Sequence, residues 1–458
     1  DLENICHYDI RFLFLLEGWR VPDHATFARF ITLHFALCSE RILAEMSNFL
    51  YDLGEITGET IFIDGTKIES CANKYTFVWK KAITKNMEKR LQKIADFVEE
   101  CEKAYGLKII RENKVKIKHL KKLSKQLYRI KQEEQIQFVH GCGKRKTPLQ
   151  RSMEQLGEHL EKLKEYTKKL HICGDRNSYS KTDPDATFMR MKEDAMGNGQ
   201  LKPGYNLQHG VDSGYVTWLT IGPQPTDTTT LIPFLESAEE HLRFKYKKIV
   251  ADAGYESEEN YLWLENNEQL AFIKPTNYEI SKTRTYQKDS GRIENMSYDA
   301  ESDCYWCKEG KKLSVEKVVV RTSKTGYESE KTIYKCEDCQ GCASKEQCIK
   351  GRNWKLPLEE RVKRFEISKR FNEKRKESLK RITSLEGCQL RMNRSIQAEG
   401  SFADIKDDMG FRRYLRRGST YVKAESILLA MARNLKKLHH KIQGERLGTH
   451  LYELKPSA

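Results

Sequence analysis

Two stretches of the chain carry acids in places where an acid is costly. IFIDGTKIES (61–70) runs Ile61, Phe62 and Ile63 straight into Asp64, and KIVADAGYES (248–257) runs a second apolar strand into Asp252. Short runs of β-branched and aromatic residues read as buried strands, and an unpartnered buried carboxylate is unfavourable. The alternative for the first stretch is a strand that ends at Ile63, with Asp64 and Gly65 opening a turn. Two strands that each deliver a carboxylate to one end of a sheet outline a cation site instead. Hard divalent ions such as Mg²⁺ take oxygen ligands, and two of them clamp the attacking and leaving oxygens of phosphoryl transfer. RSIQAEGSFADIKDDMGFRRY, near the end, offers Glu399 as the third acid.

The second chemistry is sulfur. Six of the 13 cysteines fall between Cys304 and Cys348. CEDCQGCASKEQC has Cys336, Cys339, Cys342 and Cys348 spaced C-x2-C-x2-C-x5-C, and Cys304 and Cys307 form a further C-x2-C pair. Such clustering in a large chain points to metal before disulfides. Four thiolates suit structural Zn²⁺; an iron–sulfur centre and unliganded thiols are the alternatives. Six candidates compete for four places, and the downstream four are preferred.

The third is charge. Lys and Arg number 81 against 66 Asp and Glu, a net +15, which suits a polyanion such as nucleic acid. FRRYLRRGSTYVK (411–423) crowds Arg412, Arg413, Arg416 and Arg417 around Tyr414. Such a patch can neutralise phosphates while the ring stacks on a base; otherwise it is a solvated helix end. No apolar run reaches membrane-spanning length and no signal peptide is visible, so a cytoplasmic protein is expected. The chain opens at Asp1 without a Met, so a preceding piece is expected.

The elements that must hold these groups alternate between strands and helices, an α/β pattern with interruptions. Residues 1–57 read as a helical module, with Asp23 as an N-cap. Met87, Leu91, Ile94, Val98 and Cys101, then Leu120, Leu123, Leu127 and Ile130, then Met153, Leu156, Leu160 and Leu163 recur at heptad spacing, predicting helices packed along narrow seams. YNLQHGVD and YVTWLTIG (205–222) predict a hairpin, 228–242 a helix, LAFIKP (270–275) a strand, and 425–442 a final helix. A helix-poor, Cys-bearing stretch separates the last two.

Together, DGTKIE, ADAGYES and NRSIQAEGSFADIK resemble the bacterial insertion-sequence transposases of the DDE type, over about residues 22–442. The resemblance implies a ribonuclease-H-like core at 58–80, 176–275 and 380–445. A helical, coiled-coil-like insertion would occupy 81–175 and a Cys-rich β/zinc insertion 276–379. It implies Asp64, Asp252 and Glu399 as the catalytic triad holding two Mg²⁺ or Mn²⁺ ions. The implied activity is cleavage and strand transfer at an element's ends, on terminal inverted repeats and target DNA, by a homodimer in the bacterial nucleoid. Lys406, seven residues after Glu399, matches the family pattern, whereas Ser395 stands where its Arg is expected and Met392 where its Tyr is; Arg394 is the candidate substitute. A DNA-binding relative without catalysis and a general metal-dependent nuclease are the competing readings.

Overall fold

The computed structural model describes residues 2–109, 115–141, 143–191, 199–350 and 356–453. In chain order its strands are β1 (Thr60–Glu69), β2 (Phe77–Trp79), β3 (Ser178–Ser180), β4 (Thr187–Arg190), β5 (Leu201–Asp212), β6 (Tyr215–Gly222), β7 (Lys248–Ala251), β8 (Leu270–Ile273), β9 (Ser297–Asp299), β10 (Cys304–Trp306), β11 (Lys312–Thr322), β12 (Glu328–Cys336) and β13 (Arg364–Ile367). The chain is mixed α/β and divides into two compact units. The first holds the residues up to Ile68, Asn206–Arg412 and those from Thr420; the second holds Glu69–Tyr205 and Arg413–Ser419.

In the first unit, the apolar runs become the middle of a sheet. Ile61, Phe62 and Ile63 are wholly buried and pair in parallel with Ile249, Val250 and Ala251 of β7. β7 pairs in parallel with β8, Ala251 beside Ile273. Unbroken apolar strands of this kind are those buried on both faces. β5 and β6 form the expected hairpin, and its tip, Ser213 and Gly214, takes positive φ at both positions (52° and 79°), the two-residue turn that matches strand twist. Gln208 of β5 lies against Gly65 and Asp212 accepts from the Gly58 N–H, so β5 runs opposite to β1. The order is β6-β5-β1-β7-β8. A Cβ on Gly210 would stand 2.5 Å from Ile61 and 2.6 Å from Phe234; the missing side chain lets the helix Leu231–His241 lie on the sheet.

Helices close the remaining sides. Lys369–Thr383 lies on β8, with the Ser378 hydroxyl donating to the Ile273 carbonyl at 2.8 Å. The final helix, Ser419–Gln443, covers β6: the Asn434 amide accepts from the Val216 N–H at 2.9 Å and donates to its carbonyl at 2.8 Å. A lone side chain thus satisfies backbone groups that an edge strand would expose. In the N-terminal module Asp23 caps His24–Phe30, accepting from Thr26 at 2.6 Å. Residues 297–367 carry an antiparallel sheet, β13-β12-β11-β10-β9.

The second unit contains the helices Lys80–Tyr105, Ile117–Glu133 and Pro148–Cys173. Ile94, Val98, Cys101, Leu120, Leu123, Leu127, Leu156 and Leu163 form its buried seam, and Met87, Leu91, Ile130, Met153 and Leu160 flank it. β2 pairs with β3, Phe77 opposite Ser180, which brings the two ends of the helical segment side by side.

Candidate active site

The register of β1 on β7 decides where the first two acids emerge. Ile63 pairs with Ala251, so the next residues, Asp64 and Asp252, leave the carboxyl ends of neighbouring parallel strands together. That edge is where open α/β sheets bind ligands. β1 does not turn at Asp64 but continues to Glu69, and Asp64 is 8 % exposed. Each carboxylate accepts the N–H of the next residue, Gly65 at 2.9 Å and Ala253 at 2.6 Å.

A further acid, absent from the sequence reading, joins them. Asp227 accepts from the amides of Asn206 (2.7 Å) and Gln208 (2.9 Å). A Cβ on Gly65 would approach Asp227 to 2.8 Å, and one on Gly254 to 3.4 Å. The Tyr255 hydroxyl donates to Gln208. Burial, then the negative charges of Asp227, Asp64 and Asp252, push that phenol far above its ordinary range. The phenol therefore stays neutral beside this negative charge. The available signal was two amides, Asn206 and Gln208, at alternate positions of a strand otherwise read as core.

Glu399 arrives on a helical run from Leu385 to Asp408 that contains two π turns, Ser395–Glu399 and Asp404–Asp408. Such turns insert one residue and re-aim side chains. Glu399 is linked to Asp64 through Arg394, whose guanidinium donates to the Glu399 carboxylate at 3.0 Å and lies 3.6 Å from that of Asp64. The Arg394 side chain is only 14 % exposed. In this structure it is an internal counter-ion to both acids. Lys406 lies half-buried in the second π turn. Among the described residues, no group of three or more His, Cys, Asp or Glu is arranged as a metal site. The acids nonetheless fit a hard cation chemically, being oxygen donors, two of which, Asp64 and Glu399, already share the positive charge of Arg394.

The Arg-rich stretch differs from its expected form. Tyr414 is 1 % exposed and meets Tyr205 edge-on at 5.9 Å, so its ring is not available to stack on a base. Arg413 donates to the carbonyls of Ser70 and Ala72, both at 3.2 Å, and Arg417 to that of Cys71 at 2.6 Å. Arg412 pairs with Asp407 at 2.9 Å on an exposed surface, and Arg416 is half-buried. Guanidiniums answer orphaned backbone carbonyls here, a use that composition does not reveal.

Cys336, Cys339, Cys342 and Cys348 converge, and Cys307 joins them around a cavity of about 20 Å³. Cys304 is fully buried and does not line it. Backbone N–H groups of Lys311 and Lys363 donate to the sulfurs of Cys307 (3.3 Å) and Cys339 (3.4 Å). Burial, with Cys339 adjoining, pushes the Cys336 thiol up to about 12, and burial also raises Cys348. The described cysteines are free of disulfides.

Residues 306–439 match the family model described as transposase DDE domain. That segment is similar to a transposase DDE domain. The matched segment includes Glu399, Arg394, Lys406 and the five cavity-lining cysteines, while Asp64, Asp227 and Asp252 lie outside it. No curated protein and no solved structure matches the chain. DDE transposases are DNA-acting enzymes that generally use divalent ions. No helix among the described residues is long and apolar enough to cross a membrane.

Proposed function

We propose that the protein is a transposase whose Asp64, Asp252 and Glu399 form the catalytic centre for cutting and joining DNA strands. The observation that carries this reading is the β1–β7 register, which sends Asp64 and Asp252 out side by side, with Arg394 tying Glu399 to Asp64. The sheet order supports a ribonuclease-H-like core over 58–80, 176–275 and 380–445, with β5 opposed to β1 and β7 and β8 parallel to it. The paired ends of the helical segment support its reading as an insertion at 81–175, and the separate antiparallel sheet supports another at 276–379.

Mg²⁺ or Mn²⁺, when bound, supplies activation of the attacking oxygen and neutralises charge at phosphorus. Asp64, Asp252 and Glu399 would hold the ions. The chain's other residues do the positioning. Gly65 lets Gln208 and Asp227 approach the backbone, and Gln208 fixes the Tyr255 hydroxyl. Arg394 holds positive charge between the acids and is well situated to meet a phosphate. The substrates would be an element's terminal repeats and target DNA, handled by a homodimer. Structural Zn²⁺ in the thiol cavity belongs to the same reading: the space is ion-sized, the donors are soft, and two sulfurs already accept backbone N–H groups.

Nicking of end-labelled duplex in Mg²⁺ or Mn²⁺ tests the centre. Asp64→Asn should reduce strand cutting by at least about a hundredfold while DNA binding changes little, since the loss of a charge-stabilising group at a reacting centre is of that order. Cutting that survives in the variant removes Asp64 from the centre.

A further inference from the structure

A cavity of about 780 Å³ opens in the first unit between the final helix, the chain that follows it and the β5–β6 turn. Its wall holds five Lys and Arg side chains against three acids, Asp404, Asp408 and Glu453. Two of the cations are occupied: Arg433 donates to Asp404 (2.8 Å) and to the Gly214 carbonyl (2.6 Å), and Lys441 pairs with buried Glu55. Among the described residues, Lys436, Lys437 and Arg446 have no ion pair.

Lys437 gives the cavity its character. Its ammonium is packed so closely on the turn that a Cβ on Gly214 would stand 2.5 Å from it, and it lies 5.6 Å from the Tyr215 ring centre. Burial, then Arg433 and Lys441, lower it to about 8. A crowded cation without a close counter-ion gains more from an arriving anion than a solvated lysine would, because part of its desolvation has already occurred.

The position separates this cavity from Asp64 and Asp252, whereas Gln397, two residues before Glu399, accepts from the Gly214 N–H (2.7 Å) and donates to the His450 carbonyl (3.3 Å) at its wall. The β5–β6 turn adjoins the start of β1, where Asp212 accepts from the N–H groups of Thr57 (3.1 Å) and Gly58 (2.9 Å). Asp64 lies beyond Ile63, six residues further along the chain than Gly58 and past the carboxyl end of β7. We propose that the cavity binds the phosphodiester backbone of a DNA segment distinct from the one being cut. The choice of DNA among phosphate-bearing ligands rests on the transposase reading; the affinity for phosphate rests on the cavity alone.

The test is the salt dependence of binding to a random-sequence duplex, measured by fluorescence anisotropy with the full chain. Lys436 is exposed, as is Arg446, so Lys436→Gln with Arg446→Gln should fold, which a thermal melt checks; Lys437→Gln is the second variant. Each lost phosphate contact flattens the slope of log K against log salt by about 0.9. The double variant should therefore lose about 1.8 of slope and about tenfold or more in affinity near 0.15 M salt, and Lys437→Gln about 0.9. Unchanged slopes in folded variants overturn the proposal. If millimolar inorganic phosphate raises the wild-type melting temperature but not that of the variants, and the DNA slopes are equal, the cavity serves free phosphate and the DNA assignment is overturned. A wild-type protein whose binding depends on these residues but which cuts no DNA retains the cavity site and loses the transposase reading.

Discussion

Gly65 shows how one absent side chain shapes the acidic site. A Cβ at this position would lie 2.5 Å from the Gln208 amide and 2.8 Å from the Asp227 carboxylate, separations that real contacts do not reach. Gly65→Ala should therefore push Gln208 off Asp227 and off the Tyr255 hydroxyl. Overpacking of this kind costs about 1–3 kcal/mol, enough to lower the melting temperature measurably. Because Asp64 precedes it in the same strand, cutting should fall by more than tenfold, while duplex binding, measured alongside, remains within about twofold. A variant with wild-type melting and cutting would show that Gln208 and Asp227 can shift freely. Asp64 and Asp252 were legible because an apolar run that ends in an acid is a local pattern. Asp227 was not: it sits just before the predicted helix at 228–242, and only the amides of Asn206 and Gln208 across the fold give it a role. Tyr414 misled in the opposite sense, since four neighbouring arginines suggested a solvated patch where the ring is core.

Among the elements, the helices of the second unit were the most legible, because heptad spacing is a statement about which residues share a face. Every aliphatic position in that pattern lies in the seam or against it. The sheet from β9 to β13 was implied by the family resemblance as a β insertion, but its strands were not legible in the residues themselves. β11 exposes most of its residues, so no alternation of apolar and polar marks it, and its stability must come from elsewhere. A small core of Met296, Leu313, Tyr334, Cys336 and Ile367 is available, with the thiol-lined cavity beside it. The preference for the four downstream cysteines now has to include Cys307, which lines the same space. Purified reduced protein is expected to carry about one equivalent of zinc, and Cys339→Ser or Cys307→Ser should lose it, whereas Cys304→Ser should keep it. Co²⁺ substitution would count the thiolates by their charge-transfer absorbance. A metal analysis that finds no zinc would leave these thiols as ordinary core.

At the scale of the whole molecule, the link between the sheet and the helix bearing Glu399 is itself sensitive to pH. His209 of β5 is fully buried, stacked on Phe402 at 4.3 Å, with its ring Nδ1 3.1 Å from the Ser401 hydroxyl. Ser401 and Phe402 lie two and three residues after Glu399, so this imidazole pins that segment to the sheet. Burial, then the Arg433 charge, lower His209 to about 3. The unfolded chain takes up this proton near pH 6.5, while the folded chain holds out to about 3. The stabilising form is therefore neutral: its contribution is complete above pH 6.5 and declines as pH falls toward 3. The expected slope is about 1.4 kcal/mol per pH unit for one proton. Asp212, raised by burial, acts in the opposite direction, since its folded form takes up a proton before the unfolded one does. Comparing His209→Gln with the wild type isolates the first effect. Urea midpoints at pH 7.5 and pH 5.5 should converge in the variant by about one proton's worth relative to the wild type. Equal pH dependence in both proteins would mean that His209 is not the group whose protonation separates the helix from the sheet.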